Sequence, residues 1–294
     1  MNEGIVSVLK PPALSSSNVV SEVRHLFHEK RVGHLGTLDP GAAGVLPVCV
    51  GRAVRLFDYL VDKEKTYRFE LLLGMATDTQ DLFGKVTETS QAVVTEEELL
   101  KVLPAFRGET IQQAPAYSAL KSGGKKLYDL ALAGKEIPEK LRTVTISRLE
   151  LLDKTGENRY LMEVTCSRGT YVRTLCYDIA RAAGSCGCMG MLLRMASGPF
   201  AIENSFTLEE LHSRREEGTL EETLISCEEA LRGMPRMDLT RERFTPTKNG
   251  LPTRAPKGPE GSVRLYCGGV FMGIGEREKS EVRLKVPLYE TDAP

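Results

Sequence analysis

Apolar and polar positions along this chain repeat with two different periods. Near the start, GIVSVLK is a short apolar run ended by Pro11 and Pro12, which predicts a buried strand. In the stretch SSSNVVSEVRHLF that follows, Val19, Val20, Val23, Leu26 and Phe27 fall on one face of a helix, with serines placed to cap its first turn. KTYRFELLLG switches to a period of two, setting Tyr67, Phe69, Leu71 and Leu73 against Arg68 and Glu70, the pattern of a half-buried strand. Thr95 with Glu98, Thr207 with Glu210 and Ser226 with Glu229 have the spacing of capping boxes and predict three helix starts. TVTISRLELLDK and RYLMEVTCSRG read as consecutive antiparallel strands joined at TGEN, and TYVRTLCYDIARAAG returns to helix. Strands in runs with helices between them predict an α+β fold rather than a doubly wound parallel sheet.

The texture changes near Gly233-Met234-Pro235. Beyond it come short strands, many Pro and Gly, and a predicted hairpin turn at Gly268-Gly269, so we place a boundary there between residues 1–232 and a small β-rich unit, 236–294. Hydrophobic residues at 41% and charged ones at 27% are the balance of an ordinary soluble protein. The N-terminus lacks a secretory pattern and no apolar run approaches the roughly 20 residues that span a bilayer, so a cytoplasmic protein without a membrane partner is expected. Seven cysteines, an odd number, suit reduced thiols better than a disulfide framework. The net charge of −1 hides an uneven distribution. Residues 116–148 carry seven Lys/Arg against three Asp/Glu, and residues 232–257 carry seven against two. Between them, residues 203–229 hold nine Glu against two Arg and read as an acidic surface helix. The two basic stretches suit a phosphate backbone or plain solvated faces equally well.

Several chemistries are disfavoured by spacing. SGGKKLYDL lacks the spacing of a phosphate loop, and no G-x-G-x-x-G follows a strand. Cys186 and Cys188 have no second pair at zinc spacing, and His25, His28, His34 and His212 are scattered, so no metal is expected. No G-x-S-x-G elbow is present. What stands out is GHLGTLDPGAAGVLPVCVGRAV, where Asp39 is the one acidic side chain among glycines, alanines and branched apolar residues. Such a carboxylate either closes a turn or is held on a tight loop that a ligand can approach closely.

Three further segments bear on that choice. KPPALSSSNVV, the Asp39 segment, KTYRFELLLGMATDTQDLFG and CSRGTYVRTLCYDIARAAG occur in the order and spacing of the TruB family of bacterial tRNA pseudouridine synthases, and the chain resembles that family over nearly all of residues 1–200. The resemblance implies the pseudouridine synthase fold, with a mixed, mainly antiparallel central sheet and flanking helices. It also implies isomerisation of the T-loop uridine at position 55, without cofactor or metal. Asp39 then matches the catalytic carboxylate, acting at C6, at C1′ or on a ribose proton. Arg173 of GTYVRTL matches the arginine that pairs with it, and Tyr67 of KTY the aromatic residue that stacks on the target base and helps remove its C5 proton. By the same resemblance His34 stands against the flipped region, and Lys10 and Leu192 line the pocket. A target base inside a folded loop must be extruded to react.

The resemblance also implies RNA contacts away from the pocket. The basic insertion at about 115–143 would close over the T-arm of the tRNA, with Lys121, Lys125 and Lys126 meeting phosphates, and 236–294 resembles a PUA-like RNA-binding module. Two departures, Gln113-Ala114-Pro115 and Ala131-Leu132-Ala133-Gly134, touch the RNA grip and leave the pocket motifs intact. A stand-alone monomer that needs no guide RNA is expected. The competing readings are an RNA-binding protein or tRNA folding chaperone without turnover, and a guide-dependent relative.

Overall fold

The computed structural model describes residues 3–115, 117 and 139–289, together with the backbone of 121–122 and 125–126. Strand β1 (Gly4–Lys10) pairs antiparallel with β3 (Ala43–Val50), and the short β2 (Val32–His34) pairs with β3 as well. The sheet continues from β3 to β12 (Gly187–Ser197), β4 (Lys65–Leu73), β11 (Arg159–Cys166), β10 (Leu141–Gly156) and β7 (Gly108–Gln113). Outside this sheet β5 (Met75–Thr77) pairs with β6 (Val86–Thr89), and the backbone of β8 (Lys121–Ser122) with that of β9 (Lys125–Lys126). With β13 (Phe200–Ala201) on β12 the sheet itself has nine strands. Every pairing is antiparallel except β3 with β12, which run parallel through Ala43–Leu193 and Gly44–Arg194. The expected α+β class and mixed, mainly antiparallel sheet are what the chain adopts.

Period-two alternation decides what β1 and β3 bury on each face. Val6, Val8, Leu46, Val48 and Val50 point to the helix Ser16–Leu26, where they meet Val19, Val20, Val23 and Leu26. Ile5, Val45 and Cys49 point the other way, into a cluster that also contains Ile274 and Leu288. Farther along the sheet, Phe69, Leu71, Tyr160, Met162 and Val164 pack with Leu175, Cys176 and Ile179 of the helix Val172–Ala182 and Leu99 of the helix Glu96–Val102.

A second sheet is built from β14 (Arg236–Leu239), β16 (Gly261–Cys267), β17 (Val270–Glu278), β18 (Glu281–Pro287) and β15 (Thr253–Arg254), in that order. Gly268 and Gly269 close the β16–β17 hairpin with φ of +57° and +84°, values that glycine adopts without strain. A buried Tyr266 hydroxyl donates to Glu228, tying this sheet to the segment before it.

The acidic segment is not the single surface helix expected from its charge. It forms a helix at Leu208–Glu216, a 3-10 turn at Leu220–Thr223 and one helical turn at Cys227–Ala230. Gly218, at φ +74°, breaks the first from the rest. Thr95 and Thr207 form the expected reciprocal capping boxes, while at Ser226 only its own side chain caps, accepting from the Glu229 N–H. All seven cysteines are free and buried. Among the described residues no helix is long and apolar enough to cross a membrane.

Candidate active site

The turn that carries Asp39 leaves β2 and enters β3, and its backbone is tied down from several sides. Ser16, buried at the start of its helix, donates its hydroxyl to the Leu38 carbonyl (3.0 Å) and accepts from the Leu38 N–H (2.9 Å). The Ala13 N–H donates to the Pro40 carbonyl (2.8 Å), and the Ala42 N–H closes the turn onto the Asp39 carbonyl (3.0 Å). From beneath, the guanidinium of Arg194 donates to the carbonyls of Val45 (2.6 Å), Gly36 (3.3 Å) and Thr37 (3.4 Å). That arginine is 1% exposed. It reaches the turn because β12 runs parallel to β3 at this point, and the approach requires Gly44: at φ +114°, a Cβ there would overlap the Arg194 backbone. The Asp39 side chain itself stays 48% exposed.

Arg173 arrives from the opposite side, on the first turn of the helix Val172–Ala182. Gln112 on β7 aims that turn. Its side-chain oxygen accepts from the Tyr171 N–H (3.0 Å) and its amide nitrogen donates to the Tyr171 carbonyl (3.4 Å). The Arg173 guanidinium lies 3.2 Å from the Asp39 carboxylate and 3.5 Å from that of Asp81, and donates to the carbonyls of Thr79 and Tyr117, both at 3.0 Å. Four acceptors around a nearly buried fork leave it one orientation. Asp81 is oriented in turn by Thr79, whose hydroxyl donates to it at 2.6 Å, and by the Phe83 N–H at 3.0 Å.

Between these elements opens a cavity of about 340 Å³, lined by Asp39, Tyr67, Tyr171, Arg173, Leu192 and Arg194 among others. That volume is at the small end of ligand pockets, enough for one small planar group and its immediate attachment. Tyr67 stands on β4, cross-strand from Arg194 and Val164. Burial, the largest influence, raises its phenol above the ordinary value, so the ring presents a protonated hydroxyl at neutral pH. His34 also lines the cavity. Burial and then the Arg194 cation lower its pKa, so the ring stays neutral at pH 7, its Nδ1 accepting from the Gly36 N–H at 3.3 Å.

Five of the residues singled out in the sequence, Asp39, Arg173, Tyr67, His34 and Leu192, therefore converge on one cavity. Lys10 does not line it. The side chain is fully buried behind the wall, and its ammonium is spent on the carbonyls of Pro11 (2.8 Å), Leu14 (2.7 Å) and Pro40 (3.3 Å). Burial, followed by Arg194, lowers it to about 8, with Asp39 opposing. Lys10 thus acts on the Asp39 turn from below, through the carbonyl of Pro40. The side chains of Lys121, Lys125 and Lys126 lie outside the described residues, as does Ala131–Gly134; the backbones of Lys121–Ser122 and Lys125–Lys126 pair as two short antiparallel strands.

Sequence reasoning missed Arg194, Gln112 and Asp81. A lone Arg in MLLRMAS or a Gln on an edge strand carries no signal of burial, since both residue types mostly face solvent. Lys65 was passed over too. It lines the cavity while nearly buried, donates to the carbonyls of Val61 (2.5 Å) and Lys63 (2.6 Å), and is lowered to about 8 by burial and then by Arg194.

Residues 24–172 match the model of the N-terminal domain of TruB family pseudouridylate synthases, and residues 173–232 that of the tRNA pseudouridylate synthase B C-terminal domain. A protein named tRNA pseudouridine synthase B from Pelotomaculum thermopropionicum is 44% identical over 270 residues, covering 90% of this chain and 85% of that one. Its namesake from Caldanaerobacter subterraneus subsp. tengcongensis is 41% identical over 286 residues, covering 96% and 98%. The solved structure of an H/ACA ribonucleoprotein bound to a substrate RNA containing 2'-deoxyuridine shares the fold, with a TM-score of 0.76 at 23% identity over 98% of this chain and 86% of that one. Fold and sequence together define a pseudouridine synthase. Within that class, the chain belongs to the TruB family.

Proposed function

We propose that this protein isomerises uridine 55 in the T-loop of tRNA to pseudouridine, recognising the T-arm without a guide RNA. The observation that carries the reading is the half-exposed Asp39 carboxylate, 3.2 Å from a nearly buried Arg173, facing a cavity walled by Tyr67. In this reading the uridine leaves its stack and enters the cavity, with Tyr67 against the face of the base. Asp39, paired with and oriented by Arg173, supplies the negative charge that the reaction needs at the sugar or base. The N1–C1′ bond breaks, the uracil turns, and a C5–C1′ bond forms. The C5 proton then leaves, relayed by the Tyr67 hydroxyl as it releases its own, and N1 ends as an N–H. Atoms balance, so neither cofactor nor metal is consumed.

The rest of the RNA grip follows the same reading. Lysines of the 115–143 insertion meet T-arm phosphates, and residues 236–294 form a small RNA-binding module that contacts the tRNA by phosphate and shape. The deciding experiment is tritium release from a T-arm transcript carrying 5-tritiated uridine. Wild-type protein is expected to release tritium from bare transcript, and Asp39→Asn to abolish release while RNA binding persists. RNA bound by the wild type with no release at stoichiometric protein would leave a chaperone or binder in its place.

A further inference from the structure

Phe83 keeps 78% of its surface in solvent, and among the described large apolar side chains only Val93 is more exposed. Neither the catalytic roles assigned above nor any apolar cluster of the described residues uses its ring. Yet the backbone that carries it is held in place. The ring lies over Gly41, two residues after Asp39, so closely that a Cβ at Gly41 would overlap it. Its own N–H is held by the Asp81 carboxylate at 3.0 Å, the carboxylate that also contacts Arg173. The loop beneath is cross-tied: the Asp78 carboxylate accepts from the Lys85 N–H (2.8 Å), the Asp78 N–H donates to the Lys85 carbonyl (3.0 Å), and a Cβ at Gly84 would overlap Asp78 and Thr79. Gln80, at φ +62°, is locked by Thr174, whose hydroxyl donates to its side chain at 3.0 Å, and by the Met189 N–H, which donates to its carbonyl at 3.0 Å.

A braced loop that presents a bare aromatic face beside the Asp39 turn offers a partner a π-surface at little ordering cost. Extruding one nucleotide from a loop leaves its neighbours without a stacking partner at the mouth of the cavity. Aromatic side chains take up bases in that position, because every base has a π-face. We infer that Phe83 is a stacking platform on the rim of the Asp39 cavity, covering the face of an unpaired loop nucleobase next to the flipped uridine. The inference rests on the RNA-modifying reading above and assigns a contact to it.

The test uses the full-length protein and a T-arm hairpin RNA, with 2-aminopurine placed in turn at the unpaired positions flanking the target. Wild-type turnover on the same hairpin checks the underlying reading separately. Phe83→Leu keeps apolar bulk over Gly41 and removes the π-face; it is expected to raise KM about 5-fold or more, with the smaller effect on kcat, and to abolish the aminopurine quenching at one flanking position. Phe83→Tyr should restore both. Equal KM for Phe83→Leu and wild type, quenching that survives the Leu substitution, or a loss confined to kcat would overturn the inference while leaving the wild-type activity standing. Thermal melting of each variant separates a folding defect from a lost contact, and Phe83→Tyr and Phe83→Leu that melt alike yet bind alike would count against stacking.

Discussion

Asp39 is set up less by its own contacts than by the saturation of its surroundings. Ser16, Lys10, Ala13 and Arg194 occupy the backbone of the turn from Gly36 to Pro40, so the carboxylate is the group left to face the cavity. Gly44 is where this arrangement is most exposed to mutation, because its φ of +114° and the Arg194 backbone both exclude a side chain. Gly44→Ala should destabilise the protein by about 2–4 kcal/mol, the sum of a disfavoured dihedral and a clash with backbone, and should reduce turnover more than tRNA affinity. Chemical denaturation with a parallel kinetic assay checks both halves; an unchanged midpoint would mean the β3–β12 junction can widen freely. At this scale the sequence was informative where a residue sits in a specific string and silent about which cations are buried. Asp39, Tyr67 and Arg173 sit in legible strings, and so does Lys10, although it stands behind the cavity wall and not in the lining; Arg194 and Lys65 were missed because their residue types mostly face solvent, and only tertiary carbonyls explain their burial.

Among the elements, the helix Val172–Ala182 decides the geometry of the pair. Its N-cap residue, Tyr171, has no side-chain cap of its own. Gln112 instead fixes that residue in place, holding both the N–H and the carbonyl of Tyr171 from a neighbouring strand while itself only 3% exposed. Gln112→Leu removes both bonds with little change in volume. It should cost about 1–3 kcal/mol of stability and, by letting Arg173 drift from Asp39, lower kcat roughly 10- to 100-fold. Single-turnover kinetics at saturating RNA would reveal the second effect, and a kcat within twofold of wild type would assign Gln112 to stability alone. The periodicity that placed this helix, β4 and the Ser16–Leu26 helix is strong because each packs one face into the core, and the apolar run of β1 is legible because both of its faces are buried. Strand order is different: nothing in β12 announces that it lies between β3 and β4, parallel to one and antiparallel to the other. The acidic segment misled for a related reason, since uniform charge over 203–229 concealed the Gly218 break.

For the molecule as a whole, the two sheets share apolar interior. Ile274 and Leu288 of the C-terminal unit lie in one cluster with Ile5, Val45 and Phe200, and Arg52 joins Glu3 to the Tyr289 carbonyl. A unit docked through its core should not unfold independently. Ile274→Ala is expected to cost about 2–5 kcal/mol and to lower a single calorimetric transition as a whole; two resolved transitions would show that the sheets melt apart.

The parallel junction of β3 with β12 also bears on how the chain is born. Asp39 emerges from the ribosome early, but the guanidinium that braces its turn belongs to residue 194, and the one that pairs with it to residue 173. Closing loops of that length is slow compared with local hairpins, so the nascent N-terminal third carries its carboxylate through most of translation without a site around it. The pocket comes into being only when the strand that lies beside Gly44 has been synthesised and inserted.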